Sequence, residues 1–401
     1  MKYIYIIHAH WNNRGDEAAV RALTDELLKE GMKIKMQIVS PEVYQFPYTE
    51  DQVTLVPLYP RFRNIPEFLL AYLTKGHLLW TKEGKSFFSA LEESDMILHA
   101  PGGPSLGDTY SCSEILYLLR YMAILKMKKP FIICAPSAGP FKKKMRNNIR
   151  KKIFENARQV IFREKISQEY LNKLLPNNSS IVTLDAAFQN EIDCNDNEKK
   201  LEQYEELNEF LSGKEKIIGI TISDLLWHPI FGKKEGLAEK INTVFKAVVQ
   251  ELLKQDYKIL FIPQLFGLAH DFEYMKRFEQ DKCFTMSEEY DCYFQQYIIG
   301  KMHALIGMRY HSNIFAAKME IPFLSISYEQ KMKGFIQNIH YDKYCIDIES
   351  LSSEKLMEMF FQLEQEYEMI KHQLHTMNQE LRKESYRTTK IVLEELERKG
   401  V

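Results

Sequence analysis

The sequence predicts an α/β protein made of two Rossmann-like, doubly wound domains facing each other across a cleft, followed by a C-terminal helical segment. Three observations carry this. Short β-branched and aromatic runs alternate with segments of helical period, the pattern of parallel-sheet proteins. The alternation stops in a polar stretch over 191–215 and restarts at 216. From Ser352 it gives way to a single apolar stripe at steps of four and three. A chain of 401 residues has room for two domains of roughly 150 residues.

The elements follow in order. "YIYIIHAH" (3–10) reads as a strand because it is aromatic, β-branched and followed by the turn-rich "WNNRG". A helix is expected from Asp16, with Val20, Leu23, Leu27 and Leu28 on one face and Gly31 as its C′ residue. "KIKMQIVS" completes a β-α-β start. Residues 57–90, rich in proline, aromatics and bases, read as an irregular insertion. The rhythm resumes with the strand "DMILHA", the turn "PGGPSLGD", a helix over 112–128 and the strand "PFIICAPSAGP". The basic helix "KKKMRNNIRKKIFENA", the strand "QVIFRE", a helix over 166–175 and a strand in "SIVTLDAAF" close a first domain over 1–190. After the linker 191–215, a second domain over 216–350 runs through "KIIGITIS", a helix over 236–255, "KILFIPQ" and a helix over 270–280. "LIGMRYHSNIFAAKMEIPFLSIS" then supplies strand, helix and strand. In 351–401, Leu356, Phe360, Leu363, Tyr367, Ile370, Leu374, Met377 and Leu381 form a stripe expected to pack on its own chain.

Composition bounds the function. A formal net charge of −2 offers no basic stripe for nucleic acid. Six cysteines without C-x-x-C spacing argue against a zinc site or a disulfide framework. The apolar runs are strand-length, far below the ~20 residues needed to span a bilayer, and no secretory leader is evident, so a cytoplasmic protein is expected. The basic helix over 142–152 and the aromatic-basic segment 57–90 are the two places where peripheral contact with the inner face of the cytoplasmic membrane is expected.

Candidate site residues fall where strands hand over to helices, the ligand-binding edge of such sheets. Arg309 and His311 follow the strand near Met308, and Ser312 or Asn313 is placed to cap the next helix. A guanidinium fork, an imidazole and a helix N-terminus together suit an anion with a proton donor beside it. Lys331 and Lys333 follow the next strand, and Arg163 repeats the arrangement in the first domain. The first helix carries Asp16 and Glu17 at its N-terminus, which favours the helix dipole and repels phosphate. That strand end, with Asn12 and Asn13, therefore suits a neutral polyol, and one of the carboxylates suits a general base. His8 and His10 alternate on one strand but lack a third ligand, so no metal is expected. Gly102 and Gly103 permit close backbone approach but match neither the dinucleotide nor the Walker pattern.

Several stretches together resemble the polysaccharide pyruvyl transferase family. "NRGDEAAVRAL" is similar to its N-x-G-D-E-A opening, and "HAPGGPSLGD" to its strand followed by G-G-G-x-x-x-G-D. "APSAGPF", "VIFREKIS" and "TLDAAF" resemble its Q-S-x-G-P-F, R-[DE]-x-x-S and D-P-A-F segments. "GMRYHSNIFAAKMEIPFLSISYEQKMKGF" resembles G-x-R-x-H-x-x-x-x-A, an apolar strand, then S-Y-x-x-K-x-x-G. The matches keep the family's order from about residue 12 to 335. Pro101 and Pro104 flank the glycine pair, Ala186 replaces a proline, and 57–90 has no counterpart.

The resemblance implies a GT-B-like architecture and transfer of pyruvate from phosphoenolpyruvate (PEP) to a sugar as a cyclic ketal, in capsule, exopolysaccharide or cell-wall polysaccharide synthesis. It implies no cofactor beyond the donor substrate. The second domain is then the donor side, with Arg309, His311, Ser312, Asn313, Lys331 and Lys333 on PEP, joined by Arg163 of the first domain, and His311 as general acid. The first domain is the acceptor side, with Asn12, Asn13, Gly102, Gly103 and Asp108 on a sugar carried by a polyprenyl pyrophosphate, and Asp16 or Glu17 on its hydroxyls. Two other functions fit the same fold: a GT-B glycosyltransferase using a nucleotide sugar, and a non-catalytic glycan-binding protein.

Overall fold

The computed structural model describes residues 2–40, 46–267 and 271–398. Residue 270 of the helix expected over 270–280, and residues 1, 41–45 and 399–401 of the expected outer segments, lie outside the described residues. The chain divides into two compact units. One comprises Met1–Trp11, Ala19–Gln189 and Lys383–Val401, and the other Asn12–Ala18 and Asn190–Arg382. Segment 12–18 thus groups with the second unit rather than with the domain expected over 1–190. The reason is local: Asn13 bridges to Leu265, and the Arg14 amide donates to the Gln264 carbonyl at 2.9 Å.

The first unit holds strands β1 (Tyr3–Ala9), β2 (Lys33–Ile38), β3 (Val53–Leu55), β4 (Met96–His99), β5 (Gly102–Leu106), β6 (Phe131–Ile133), β7 (Pro136–Ala138), β8 (Gln159–Phe162) and β9 (Ile181–Val182). Its main sheet has the order β3-β2-β1-β4-β6-β8-β9, with every pairing parallel. Both faces are buried. Tyr5, Ile7, Ile97, Ile133 and Phe162 enter one core, and Ile4, Ile6, Leu98, Ile132 and Ile161 enter the other. That double burial is why these strands read as unbroken apolar runs.

Two expectations change here. The supposed turn over 101–108 contains β5, which pairs with β7 in a separate small sheet. The single strand expected in "PFIICAPSAGP" is split because Ala135 turns the chain through left-handed backbone, φ 50°. Segment 57–90 is less irregular than its composition suggests. It contains the helix Ile65–Leu73 and most of the helix Lys82–Glu93, whose Phe68, Ala71, Phe87 and Phe88 join the first core.

The second unit holds β10 (Ile217–Thr221), β11 (Lys258–Phe261), β12 (Cys283–Thr285), β13 (Ala304–Gly307), β14 (Phe323–Ser327) and β15 (Cys345–Asp347). They form one parallel sheet of order β12-β11-β10-β13-β14-β15. The chain winds outward from β10 in one direction, then returns to β13 and winds the other way. The crevice beyond the carboxyl ends of β10 and β13 is therefore the topological switch point. The expected linker carries two short helices, Cys194–Glu202 and Glu205–Leu211, because Leu201 and Leu207 are buried. The C-terminal stripe breaks at Glu366 into Ser353–Gln365 and Tyr367–Glu397, and Leu356, Phe360, Leu363, Ile370 and Leu374 are buried within the chain. Among the described residues no helix is long and apolar enough to cross a membrane.

The basic helix Lys144–Asn156 is not a uniformly solvated face. Arg150 is fully buried, donating to Glu114 through Nε (2.8 Å) and Nη2 (2.6 Å) and to Asp108 Oδ1 at 2.6 Å. Glu114 also accepts from Arg146 (2.9 Å) and the Gly107 amide (2.8 Å). Burial pushes the Asp108 pKa up, but Arg150 and the Lys142 and Lys143 amides pull it down further, and the net direction is down. Arg150→Leu leaves the Glu114 carboxylate buried with fewer donors. The expected cost is about 3–5 kcal/mol, read as a lower urea midpoint, and adding Glu114→Leu should recover most of it. The Asp108 contribution is complete above its unfolded pKa of about 3.9 and is lost as pH falls through the lower folded value. Urea midpoints should therefore fall on acidification below about pH 4, and less so in Asp108→Asn.

Candidate functional site

At the β10–β13 switch point the chain places Thr221 at the end of β10, Ser223, Trp227 and His228 after it, and Arg309 after β13. Arg309 is the N-cap of the helix Tyr310–Lys318, with extended backbone and no side-chain cap. Its side chain is buried, and its Nε and Nη2 form a bidentate pair with Asp271, with Nε to Oδ2 at 2.9 Å. Nη2 also reaches Ser223 Oγ at 3.2 Å, and the guanidinium carbon lies 5.0 Å from the centre of the Trp227 ring. Asp271 accepts in addition from the Gln264 (3.1 Å) and Leu265 (2.9 Å) amides after β11. Burial disfavours the Arg309 charge, but Asp271 and then Tyr328 outweigh it, and its pKa is raised. The sequence pointed to Arg309 as an open cation; the structure compensates it with a carboxylate.

His311 is the second residue of the same helix and is also buried. Its ring packs against the backbone of Gly15: a Cβ there would stand 1.9 Å from His311 Cγ and Nδ1. Only glycine permits that approach. Asp16 follows, with Oδ1 3.9 Å from His311 Nε2, too long for a hydrogen bond but close enough for charge coupling. That oxygen is buried and has no hydrogen-bond partner among the described residues. Asp16 and His311, expected on opposite walls, thus meet within one unit.

Other residues expected in the site are taken up by structure. Glu17 is fully buried and ion-paired with Arg14, which also donates to the Glu288 carbonyl at 2.7 Å. Asn13 Oδ1 caps the helix Arg14–Lys29 through the Gly15 amide (2.9 Å), which starts that helix two residues earlier than expected. Asn12 Nδ2 donates to the Phe266 carbonyl at 3.1 Å. Ser312 does not cap its helix. Its hydroxyl bonds the Arg309 carbonyl (2.7 Å) and Thr221 Oγ1 (2.8 Å). Asn313 donates to Ser325 Oγ at 2.8 Å, its Oδ1 resting where a Cβ on Gly307 would be. Lys333 pairs with Asp347 at the outer strand β15, at 2.7 Å and half exposed.

Lys331 remains at the cluster, paired with Glu329 at 2.6 Å and 5.8 Å from the Tyr310 ring centre. Glu329 also accepts from His228 Nε2 at 3.0 Å. The Ile230 (3.2 Å) and Phe231 (3.1 Å) amides donate to His228 Nδ1, which puts the ring proton on Nε2. Burial raises the Glu329 pKa, but Lys331 and His228 lower it more, and it stays ionised.

The first unit holds the rest. Arg163 is fully buried, donating to Asp185 Oδ2 at 2.6 Å and to Ser137 Oγ at 2.8 Å. Gly102 takes φ 135° within β5. Gly103, also in β5, is half-buried. Asp108 bonds Arg150 and accepts from the Lys143 amide at 2.8 Å. His8 bonds His99 (3.2 Å) and packs edge-on against the Tyr117 ring, centroids 4.4 Å apart, and the Tyr117 hydroxyl bonds His10 (3.2 Å). Among the described residues no three His, Cys, Asp or Glu side chains gather as a metal site would need.

Asp271, Ser223, Trp227, His228, Tyr328 and Glu329 were not singled out by sequence. Tyr328 and Glu329 directly follow β14, and Tyr328 falls in the S-Y-x-x-K stretch, whereas Ser223, Trp227, His228 and Asp271 lie in the connections after β10 and β11 and carried no signal but that position. Asp271→Asn should leave the Arg309 charge buried without its partner, costing about 3–5 kcal/mol by urea denaturation. Gly15→Ala should fold but lose about 1–3 kcal/mol and displace His311, read as a shift of that imidazole's NMR resonances.

The family described as polysaccharide pyruvyl transferase matches residues 13–330, a span that contains Asp16, Asp271, Arg309 and His311 and stops just before Lys331. The amylovoran biosynthesis protein AmsJ of Erwinia amylovora is 21% identical over 417 residues, covering 93% of this chain and 94% of the relative. UDP-GlcNAc 2-epimerase of Neisseria meningitidis, solved with UDP-GlcNAc, aligns with a TM-score of 0.61 at 14% identity over 99% of both chains. A UGT transferase of Siraitia grosvenorii, solved with UDP, aligns with a TM-score of 0.57 at 9% identity over 98% of this chain and 99% of its own. At such identities the structures share the GT-B fold and nothing more specific. With its match over most of its length, the chain belongs to the polysaccharide pyruvyl transferase family.

Proposed function

We propose that the protein transfers pyruvate from PEP to two hydroxyls of a sugar in a polysaccharide precursor, forming a cyclic ketal and releasing phosphate. Its membership of the family supports a pyruvyl transferase. The name of the AmsJ relative supports a role in polysaccharide biosynthesis. The observation that carries the chemistry is the buried His311–Asp16 pair, 3.9 Å apart, beside a guanidinium held in place by Asp271.

In this reading Arg309 and Lys331 meet the donor's carboxylate and phosphate. Both keep their own carboxylates, so they orient the anion more than they neutralise it. His311 protonates the methylene carbon of PEP, and positive character develops at the enol carbon. A sugar hydroxyl attacks that carbon, with Asp16 accepting its proton, and the C–O bond to phosphate breaks. A second hydroxyl closes the ring. Of the two hydroxyl protons, one restores His311 and the other leaves on phosphate, so the reaction balances with no co-reactant. His228 and Glu329 hold the floor beneath Lys331 and take no part in the proton transfers.

Phosphate release from PEP, measured with sugar acceptors, tests this. His311→Ala should lose about 10²–10⁴-fold in kcat while remaining folded, the range for removal of a general acid. Lys331→Ala should raise the KM for PEP about tenfold with a smaller change in kcat. Turnover by His311→Ala equal to wild type overturns the acid assignment. Thermal stabilisation by a UDP-sugar and not by PEP overturns the reaction itself and favours glycosyl transfer.

A further inference from the structure

Segment 57–90 has two faces. Inward, Tyr59, Phe68, Ala71, Phe87 and Phe88 are buried in the first unit's core. Outward, six large apolar side chains lie open: Phe62 (54% exposed), Leu69 (48%), Leu70 (45%), Leu73 (68%), Leu78 (53%) and Trp80 (60%). Leu69, Leu70 and Leu73 share one side of the helix Ile65–Leu73, at i, i+1 and i+4. Single exposed leucines need no explanation, but six within nineteen residues of chain mark a contact surface.

The surface is built rather than frayed. Glu67 is buried beneath it and accepts from the Trp80 amide (2.8 Å), the Thr81 amide (2.7 Å) and the Thr81 hydroxyl (2.7 Å). The Leu78 amide donates to Thr74 Oγ1 at 3.1 Å. These bonds fasten the loop 74–81 back onto the helix and hold Leu78 and Trp80 outside the core. An acid placed there thus keeps apolar groups in water, which only a partner would reward.

Charge says which partner. Between 57 and 90 the bases are Arg61, Arg63, Lys75, Lys82 and Lys85, all exposed, and the acids are Glu67 and Glu83. Glu67 is spent internally, and Glu83 faces Arg63 at 3.9 Å. Exposed leucine, phenylalanine and tryptophan interspersed along the chain with exposed lysine and arginine is the composition of a surface that enters the interface of an anionic bilayer. The basic helix Lys144–Asn156 lacks that combination. Its Met145 is exposed (93%), but Arg146 is committed to Glu114 and Arg150 is buried.

We propose that the face formed by Phe62, Leu69, Leu70, Leu73, Leu78 and Trp80 binds anionic lipid membranes peripherally, with Lys75, Lys82 and Lys85 on the headgroups. This stands independently of the pyruvyl transfer reading, since binding to lipid is measured without donor or acceptor.

The test is flotation of the full chain with phosphatidylcholine vesicles, with and without phosphatidylglycerol. The wild type should float only with the anionic vesicles, and Trp80 emission should shift to the blue. Leu73→Ser with Trp80→Ser, both surface changes, should weaken partitioning about tenfold or more. Lys75→Glu with Lys82→Glu should weaken it by a similar factor, because each base near an anionic leaflet is worth about fivefold. Circular dichroism checks that the variants fold. Failure of the wild type to float overturns the proposal, as does equal flotation of the Leu73/Trp80 variant. So does a concentration-dependent dimer in sedimentation that this variant abolishes, which would assign the face to a second copy of the chain.

Discussion

The buried pair between Arg309 and Asp271 is the interaction on which the second unit's carboxyl edge depends. It joins the loop after β13 to the loop after β11, and through Ser223 to the loop after β10. A guanidinium in that position would be strongly unfavourable alone, and the carboxylate offsets its desolvation. The pair also accounts for two backbone amides, at Gln264 and Leu265, that would otherwise be buried without acceptors. The connections after three strands are thereby locked around one charge pair.

That rigidity bears on what the site can do. Its cations arrive with counter-charges: Arg309 with Asp271, Lys331 with Glu329, Arg14 with Glu17. Such a site does not hold an anion by excess positive charge. It selects one by directed donors. His311 and Asp16 lie 3.9 Å apart, beyond hydrogen-bond distance, and Asp16 Oδ1 is buried with no hydrogen-bond partner among the described residues. A buried carboxylate oxygen in that state beside an imidazole is a candidate for chemistry, whereas the Ser312 hydroxyl is hydrogen-bonded to Arg309 and Thr221.

Within the first unit buried charge has a different use. Arg150 with Glu114 and Asp108, and Arg163 with Asp185, tie helices and loops to the small sheet of β5 and β7. Glu67 does the same for the loop carrying Trp80. All three carboxylate systems are satisfied largely by backbone amides or arginine, which makes them positional devices. The motif residues Arg163 and Asp185, far apart in sequence, turn out to be each other's partners.

Much of the architecture was legible in the sequence, because strands buried on both faces must be apolar throughout and helices buried on one must repeat at 3.6 residues. The two α/β series, the position of Arg309 and His311 after β13, and the family all followed from such local patterns in order. The split of "PFIICAPSAGP" did not, since left-handed backbone at an alanine leaves no compositional mark. Nor did the fate of individual polar residues. Asp16 and Glu17 are adjacent acids at one helix start, yet one is locked to Arg14 and the other lies by His311. Local sequence determines which segments become strands and helices and which of their ends carry polar groups. Only the tertiary structure decided which of those groups are consumed by a buried partner, because that depends on what the rest of the chain brings within 3 to 4 Å.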